Sequence, residues 1–387
     1  MSITFRPLAI GAVSILLVSF TSLVKPGNET GKKEIQTKSK PKIQVAVLLD
    51  VSNSMDGLIE QAKAQLWNMV SVMGKAKCEG ISPTVEIALY EYGKDSNEEA
   101  KGYIKQISPF STDLDMLSKK LFELKTYGGS EYCGQVIKTS LDELKWDTSS
   151  NNYKVIFIAG NEDFLQGNVS YTKACEEARK MGVIVNTIYC GDRMRGIQEH
   201  WNLSAECGNG SFTNINSNEK IQDIATPYDT TLIVLNEKLN QTYVYYGSEG
   251  ESRAELQQTM DAGNARINTS VAAKRAGVKG NRSLYDNSGW DLVDAYDKDK
   301  TVVDKVDIKT LPDSLQNKSR AQIRAIVDAK NKERSELSKQ ILETNNKRDG
   351  FIATERAKQA GNVTATLESE IEKIVREQVK RSNMVIE

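Results

Sequence analysis

The sequence predicts a doubly wound α/β domain built on a mainly parallel sheet, followed by a mostly α-helical C-terminal region. Three observations predict it. Short apolar runs alternate with amphipathic helical patterns between residues 42 and 235; the first run ends abruptly in Asp50; and charged, amide-rich, helix-periodic sequence takes over from about residue 236. Uniformly apolar runs fit strands buried on both faces. Their alternation with helices implies right-handed crossovers and a sheet covered on both sides.

The elements follow in chain order. Arg6 precedes an uncharged, mostly apolar run from Leu8 to Val24, closed by Lys25-Pro26-Gly27. Residues 1–24 therefore read as an export signal, either cleaved or retained as a membrane anchor. No cysteine lies near its end to carry a lipid, and residues 25–41 suit a polar tether. The Lys-rich stretch to Lys42 argues mildly the other way, since positive charge prefers the cytoplasmic side.

Ile43 to Leu49 is the first strand, and Leu58, Ala62, Leu66, Met69 and Met73 share one helical face beginning near Asp56. Val85 to Tyr92 is a second strand and Tyr103 to Ile107 a short edge strand. Thr112 to Leu124 is a helix capped by Thr112 or Ser111. Val136, Ile137, Ser140, Leu141 and Leu144 mark the next helix. Val155 to Ala159 and Val183 to Tyr189 are buried strands separated by a helix around Tyr171 to Met181. A last helix and strand near His200 to Phe212 precede a helical stretch from Ile221 to Leu239.

Beyond residue 236, Glu251 to Ala276 reads as one helix, and Trp290 and Tyr296 anchor a less regular stretch. Pro312 opens a long polar helix to about Lys347, broken at Gly350, and Gly361 interrupts the next. Leu367, Ile371, Ile374, Val375 and Val379 form an apolar stripe at helical spacing. Packing within the chain is its simplest use; coiled-coil-like self-association through these C-terminal helices is the alternative.

Composition narrows the chemistry. Lys+Arg at 51 against Asp+Glu at 52 gives no bias towards nucleic acid. A single histidine, His200, rules out a multi-histidine metal centre, so a metal must rest on oxygen or sulfur. The five cysteines (Cys78, Cys133, Cys175, Cys190, Cys207) include no CxxC pair. They read as up to two disulfides in an oxidising compartment or as buried small hydrophobes. No phosphate-binding glycine loop and no nucleophile elbow is present, so His200 has no catalytic serine motif to serve; His200-Trp201 reads as a helix-face pair near the domain edge. Asp297-Lys298-Asp299 opens like a calcium loop, but Val302 and Ile308 stand where that loop needs Gly and Glu. The expectation is a protein that is not an enzyme.

Asp50-Val51-Ser52-Asn53-Ser54 directly follows a strand and precedes a helix. It offers one carboxylate and two hydroxyls spaced by two, at the strand end where α/β folds bind ligands. Magnesium takes hard oxygens in octahedral geometry and keeps several waters. Taken alone, the same serines also fit a plain helix cap.

Taken with its neighbours, the loop resembles the first loop of the von Willebrand factor A-type domain family, which carries a metal-ion-dependent adhesion site. Asp50-Val51-Ser52-Asn53-Ser54-Met55 matches that loop, and Tyr127-Gly128-Gly129-Ser130 matches the second, with Ser130 where Thr is commoner. The resemblance runs from Ile43 to about Leu235. It implies a metal held by Asp50, Ser52, Ser54 and Ser130, with Mg2+ (or Mn2+ or Ca2+) as the cofactor. The third loop departs from the family's Thr-Asp-Gly: in Ile158-Ala159-Gly160-Asn161-Glu162-Asp163 the aspartate position falls on Gly160, and Glu162 is the substitute ligand. This Gly-Asn-Glu variant is similar to an exported bacterial subgroup that shares Asn53-Ser54-Met55-Asp56-Gly57-Leu58-Ile59 and Tyr127-Gly128-Gly129-Ser130-Glu131-Tyr132-Cys133-Gly134. Glu131 either complements a helix dipole or adds charge to the metal shell. Cys133 reads as structural.

The resemblance implies a metal-dependent binding module in the cell envelope, periplasmic or otherwise extracytoplasmic, secreted or N-terminally anchored. Its cation accepts a carboxylate from a protein partner. The rival reading is an envelope scaffold whose domain no longer binds metal and whose helical half makes the functional contacts.

Overall fold

The computed structural model describes residues 40–215, 223–358 and 366–386. The expected signal and most of the tether, residues 221–222 and Gly361 lie outside them. The elements are β1 (Lys42–Asp50), α1 (Asp56–Gly74), β2 (Ala76–Cys78), β3 (Thr84–Tyr92), β4 (Lys105–Ser111), α2 (Leu114–Glu123), α3 (Cys133–Glu143), β5 (Tyr153–Gly160), α4 (Tyr171–Lys180), β6 (Ile184–Cys190), α5 (Arg193–Gln198), α6 (Trp201–Cys207) and β7 (Phe212–Ile215). The helices α7 (Asp229–Asn240), α8 (Gly250–Ile267), α9 (Thr269–Gly280), α10 (Leu292–Lys298), α11 (Val302–Lys305), α12 (Asp313–Gln316), α13 (Arg320–Lys358) and α14 (Leu367–Gln378) follow, and β8 (Met384–Ile386) closes the described chain.

Among the described residues six strands form one sheet in the order β4-β3-β1-β5-β6-β7. All neighbours are parallel except β4, which lies antiparallel on β3 at the edge. Alternating side chains of β1 feed two cores. Ile43, Val45 and Leu49 pack under α1 and α2, while Ala46 and Leu48 pack on the other face with α3, α4 and Trp201. That two-sided burial is why β1 and β5 read as unbroken apolar runs rather than alternating ones. The chain leaves β1 towards β3 and later returns on the other side with β5, so the topological switch point lies between β1 and β5. Asp50 stands at its carboxyl end.

The C-terminal helices pack on the same structure. α8 lies on α2, and α9 on α1 and α7. Arg275 of α9 is 1% exposed and donates to Asp115 of α2 at 2.7 Å and to Asp261 of α8 at 2.5 Å, its guanidinium 4.6 Å from the centre of the Trp67 ring. Tyr285 donates its hydroxyl to the same Asp115. A buried cation thus ties three helices together.

Several sequence-based boundaries shift, each for a local reason. The cap of α2 is Asp113, whose carboxylate accepts the Met116 N–H at 3.0 Å; the Ser111 hydroxyl accepts instead from Asp113 N–H. The helix expected over Glu251–Ala276 is two. Asn268 is fully extended between them (φ −171°, ψ 171°), and its side chain accepts the Val271 N–H at 2.8 Å to cap α9. α7 starts only at Asp229. Pro312 precedes the short α12, and the long helix begins at Arg320. That helix runs through Gly350 to Lys358. A mid-helix glycine costs about 1 kcal/mol, and Arg348 and Ile352, buried on either side of it, hold the helix in place.

The apolar stripe is spent inside the chain. Leu367, Ile371, Ile374, Val375 and Val379 join the core of Ile43, Val45 and Leu49, beside α1. The Gln378 side chain exchanges hydrogen bonds with Asn186 of β6 (2.7 and 3.0 Å) and accepts the Tyr153 hydroxyl at 2.8 Å. β8 then pairs antiparallel with β2. Self-association through this stripe is therefore not available to the folded chain.

All five cysteines are free thiols, four of them buried, so the small-hydrophobe reading replaces the disulfides. Among the described residues no helix is long and apolar enough to cross a membrane.

Candidate metal site at the end of the central strand

Asp50 ends β1 opposite Tyr92 of β3 in the parallel register, and both are fully buried. The Ser52 N–H turns back to Asp50 Oδ1 at 2.7 Å, which tightens the loop and brings Ser52 Oγ within 3.4 Å of Ser54 Oγ. The loop then winds through one 3-10 turn, Asn53–Met55, into α1.

Backbone hydrogen bonds carry the second loop to the first. Tyr127 N–H donates to Val51 O at 2.8 Å, and Asp95 N–H donates to Gly128 O at 2.8 Å. A Cβ on Gly129 would stand 2.6 Å from the backbone of Gly93, so only glycine allows this approach. Ser130 is half-buried immediately beyond it, between Gly129 and the buried Glu131.

The third loop is fixed from below. The Trp201 indole, fully buried, donates to the Glu162 carbonyl at 2.8 Å; Phe164 N–H donates to Glu199 O; and His200 Nδ1 lies 3.1 Å from Asp163 Oδ1. The expectation for His200-Trp201 is thereby corrected. Trp201 is a core residue, and His200 precedes α6 in the left-handed region (φ 68°), aimed at the loop. From this loop the Asn161 side chain hydrogen-bonds Ser54 Oγ at 3.1 Å, and the Glu162 carboxylate accepts from Gln166 at 3.4 Å.

Electrostatics set this corner apart. Burial, opposed by the Ser52 hydrogen bonds and reinforced by the charge of Glu162, pushes Asp50 up to about 7. Glu131 rises to about 8, from burial first and then from the charges of Asp50 and Glu162. Among the described residues no lysine or arginine forms an ion pair with Asp50, Glu131 or Glu162. Burial drives the Cys133 pKa upward against the opposing pull of its hydrogen bond with Tyr92, which keeps the thiol neutral as a structural group.

These residues fit a hard divalent cation. Asp50 Oδ2 is buried without any hydrogen-bond partner, which is costly for a carboxylate oxygen unless a cation meets it. Two hydroxyls stand beside it. Among the described residues no three His, Cys, Asp or Glu side chains converge into a ready-made cage. The donor set is instead one of few carboxylates, hydroxyls and water, which is the chemistry magnesium accepts.

A family model for the von Willebrand factor type A (VWA) domain matches residues 44–239. The chain belongs to the VWA family. Such domains typically serve as adhesion or interaction modules and commonly bind a divalent metal. Solved structures similar to this VWA chain include BatB from Bacteroides thetaiotaomicron, with 15% identity over 45% of this chain and 90% of that one and a TM-score of 0.34. An aerotolerance-related membrane protein from Bacteroides fragilis shows 17% identity over 46% and 93%, with a TM-score of 0.31. Proximal thread matrix protein 1 from the mussel byssus, with zinc in its MIDAS motif, shows 14% identity over 46% and 43%, with a TM-score of 0.34. No curated protein matches the chain.

Sequence reasoning missed three residues that shape the site. Tyr92 donates its hydroxyl to Ala159 O at 3.0 Å and fills the space beside Gly160. Asn161 holds Ser54, and Trp201 holds Glu162. Asn161 carried a signal, since it follows the substituted Gly160 directly. The other two are brought in by strand register and by a helix some forty residues downstream, which no local spacing reveals.

Proposed function

We propose that this is an exported VWA-domain binding protein that grips a protein partner through a divalent cation. Asp50, Ser52, Ser54 and Ser130 hold the cation, and Glu162 takes the place of the family's third-loop aspartate. The observation that carries the reading is the buried, unpartnered Asp50 Oδ2 at the carboxyl end of β1. A bound cation would supply electrophilic charge at the crevice mouth, where an acidic side chain of the partner completes its coordination. Magnesium suits the hard oxygen donors, with manganese and calcium as alternatives. The export assignment rests on the apolar run from Leu8 to Val24 and places the protein in the cell envelope or outside it. The α/β domain over residues 42–235 carries the site in this reading, and the described residues of the 236–387 region brace it.

The test is thermal unfolding of the full chain in EDTA and in millimolar MgCl2, MnCl2 or CaCl2. A cation that binds only the folded state raises the midpoint. The expected result is a rise that Asp50→Ala abolishes; no rise with any of the three ions sinks the metal reading.

One observation favours a second reading, an envelope scaffold without metal. Gly160 supplies no carboxylate where the family has aspartate, and Ser54 already hydrogen-bonds Asn161. In that case partner capture from envelope extracts is the same for wild type and Asp50→Ala.

A further inference from the structure

We infer that Glu131 is a further carboxylate of the cation site, packed with Asp50 around Gly93 and adding its negative charge to that of Glu162. The inference rests on the metal reading above and deepens it.

Position carries the argument. Gly93 has φ 79°, and a Cβ there would lie 2.9 Å from Asp50 Oδ1 and 3.0 Å from Glu131 Cγ. The two acidic side chains therefore flank one point, and the absence of a side chain at residue 93 leaves the space between them open. The interlock of Gly129 with the Gly93 backbone fixes this approach, so Glu131 is delivered by the same loop that delivers Ser130.

Burial makes the pair incomplete without a cation. Asp50 is 0% and Glu131 7% exposed, and Asp50 Oδ2 has no partner. Two buried carboxylates packed around the same glycine repel unless a proton or a cation sits with them. The plainer role for Glu131 is to complement the N-terminus of α3. That helix has Tyr132 at its cap position and no side-chain cap hydrogen bond. Among the described residues Glu131 forms no ion pair with a lysine or arginine, which leaves its charge open to a cation. Asp50 and Glu131 together carry two negative charges, which match one divalent ion. The Glu162 carboxylate, the third-loop member of the site, accepts from Gln166 at 3.4 Å.

Calorimetric titration of the full chain with MgCl2, MnCl2 and CaCl2 tests this, comparing wild type with Glu131→Gln, Glu162→Gln and Asp50→Ala. Glu131→Gln keeps the shape and removes the charge. It is expected to weaken the best-bound ion at least roughly tenfold, more than Glu162→Gln does, while Asp50→Ala abolishes binding. Should Glu131→Gln fail to fold in EDTA, Glu131→Asp is read instead and is expected to weaken binding in the same sense. Glu131→Gln binding within twofold of wild type while Asp50→Ala loses the ion overturns the inference and leaves the metal reading standing. Absence of binding by wild type, or binding that Asp50→Ala leaves intact, overturns both.

Discussion

Gly160 lies directly against Asp50: a Cβ on residue 160 would stand 3.0 Å from Asp50 Oδ2 and 2.6 Å from Tyr92 Oη. Position 160 is thus closed to a side chain unless Asp50 or Tyr92 moves. Tyr92 occupies the space and spends its hydroxyl on Ala159 O. The bare backbone at residue 160 and the buried tyrosine are one structural fact.

Adding a side chain at residue 160 should therefore damage the fold. Gly160→Asp is expected to destabilise the metal-free protein by about 1–3 kcal/mol, the usual range for overpacking a core. Urea unfolding in EDTA measures it. Unchanged stability would show that Tyr92 yields easily.

Acid should stabilise the metal-free protein. Asp50 and Glu131 titrate near 7 and 8 in the folded chain but near 4 when unfolded. Between these values the folded state binds more protons, so its stability falls as pH rises from about 4 to 8. Protons and cation compete for the same oxygens, so the midpoint gain from MgCl2 should be larger at pH 8 than at pH 5.5. Scanning calorimetry at the two pH values checks both statements, and an equal gain would argue that the ion sits away from these groups.

The buried Arg275 predicts a contrast between ion pairs. Asp115→Ala leaves its guanidinium short of a partner in a dry contact and should cost about 3–5 kcal/mol. Breaking the exposed Lys101–Glu98 pair with Glu98→Ala should cost about 0–1 kcal/mol. Denaturant midpoints of the two variants decide it; similar losses would mean that water reaches Arg275.

Gln378→Ala removes the side chain shared by Asn186 and Tyr153 and leaves buried polar groups unmet, at about 1–3 kcal/mol. A neutral outcome in the same denaturant assay would show that α14 is only loosely docked.

How much was legible varied with range. The β1 run, the Asp50–Ser54 loop and the Gly128-Gly129 pair announce themselves because strand burial and loop chemistry are written in adjacent residues. Asp113 displaced Ser111 as a cap, and Asn268 split one expected helix, because capping competes between neighbours whose geometry spacing does not reveal. Gly350 failed to break its helix because packing on either side outweighs a single weak propensity.

By itself the sequence determined the alternating α/β pattern, the strand-end placement of Asp50 and the family to which the chain belongs. The tertiary structure decided what closes the domain. The stripe of α14, more than a hundred residues past the last sheet strand, fills the core beside α1, because an apolar face on the sheet must be covered by whichever segment fits it. It also decided the inner shape of the site: the Asp50–Tyr92 register and the Gly93–Gly129 contact bring Asp50 and Glu131 together around Gly93 and leave Gly160 bare. Those relations arise between residues far apart in the chain, where only packing can bring them together.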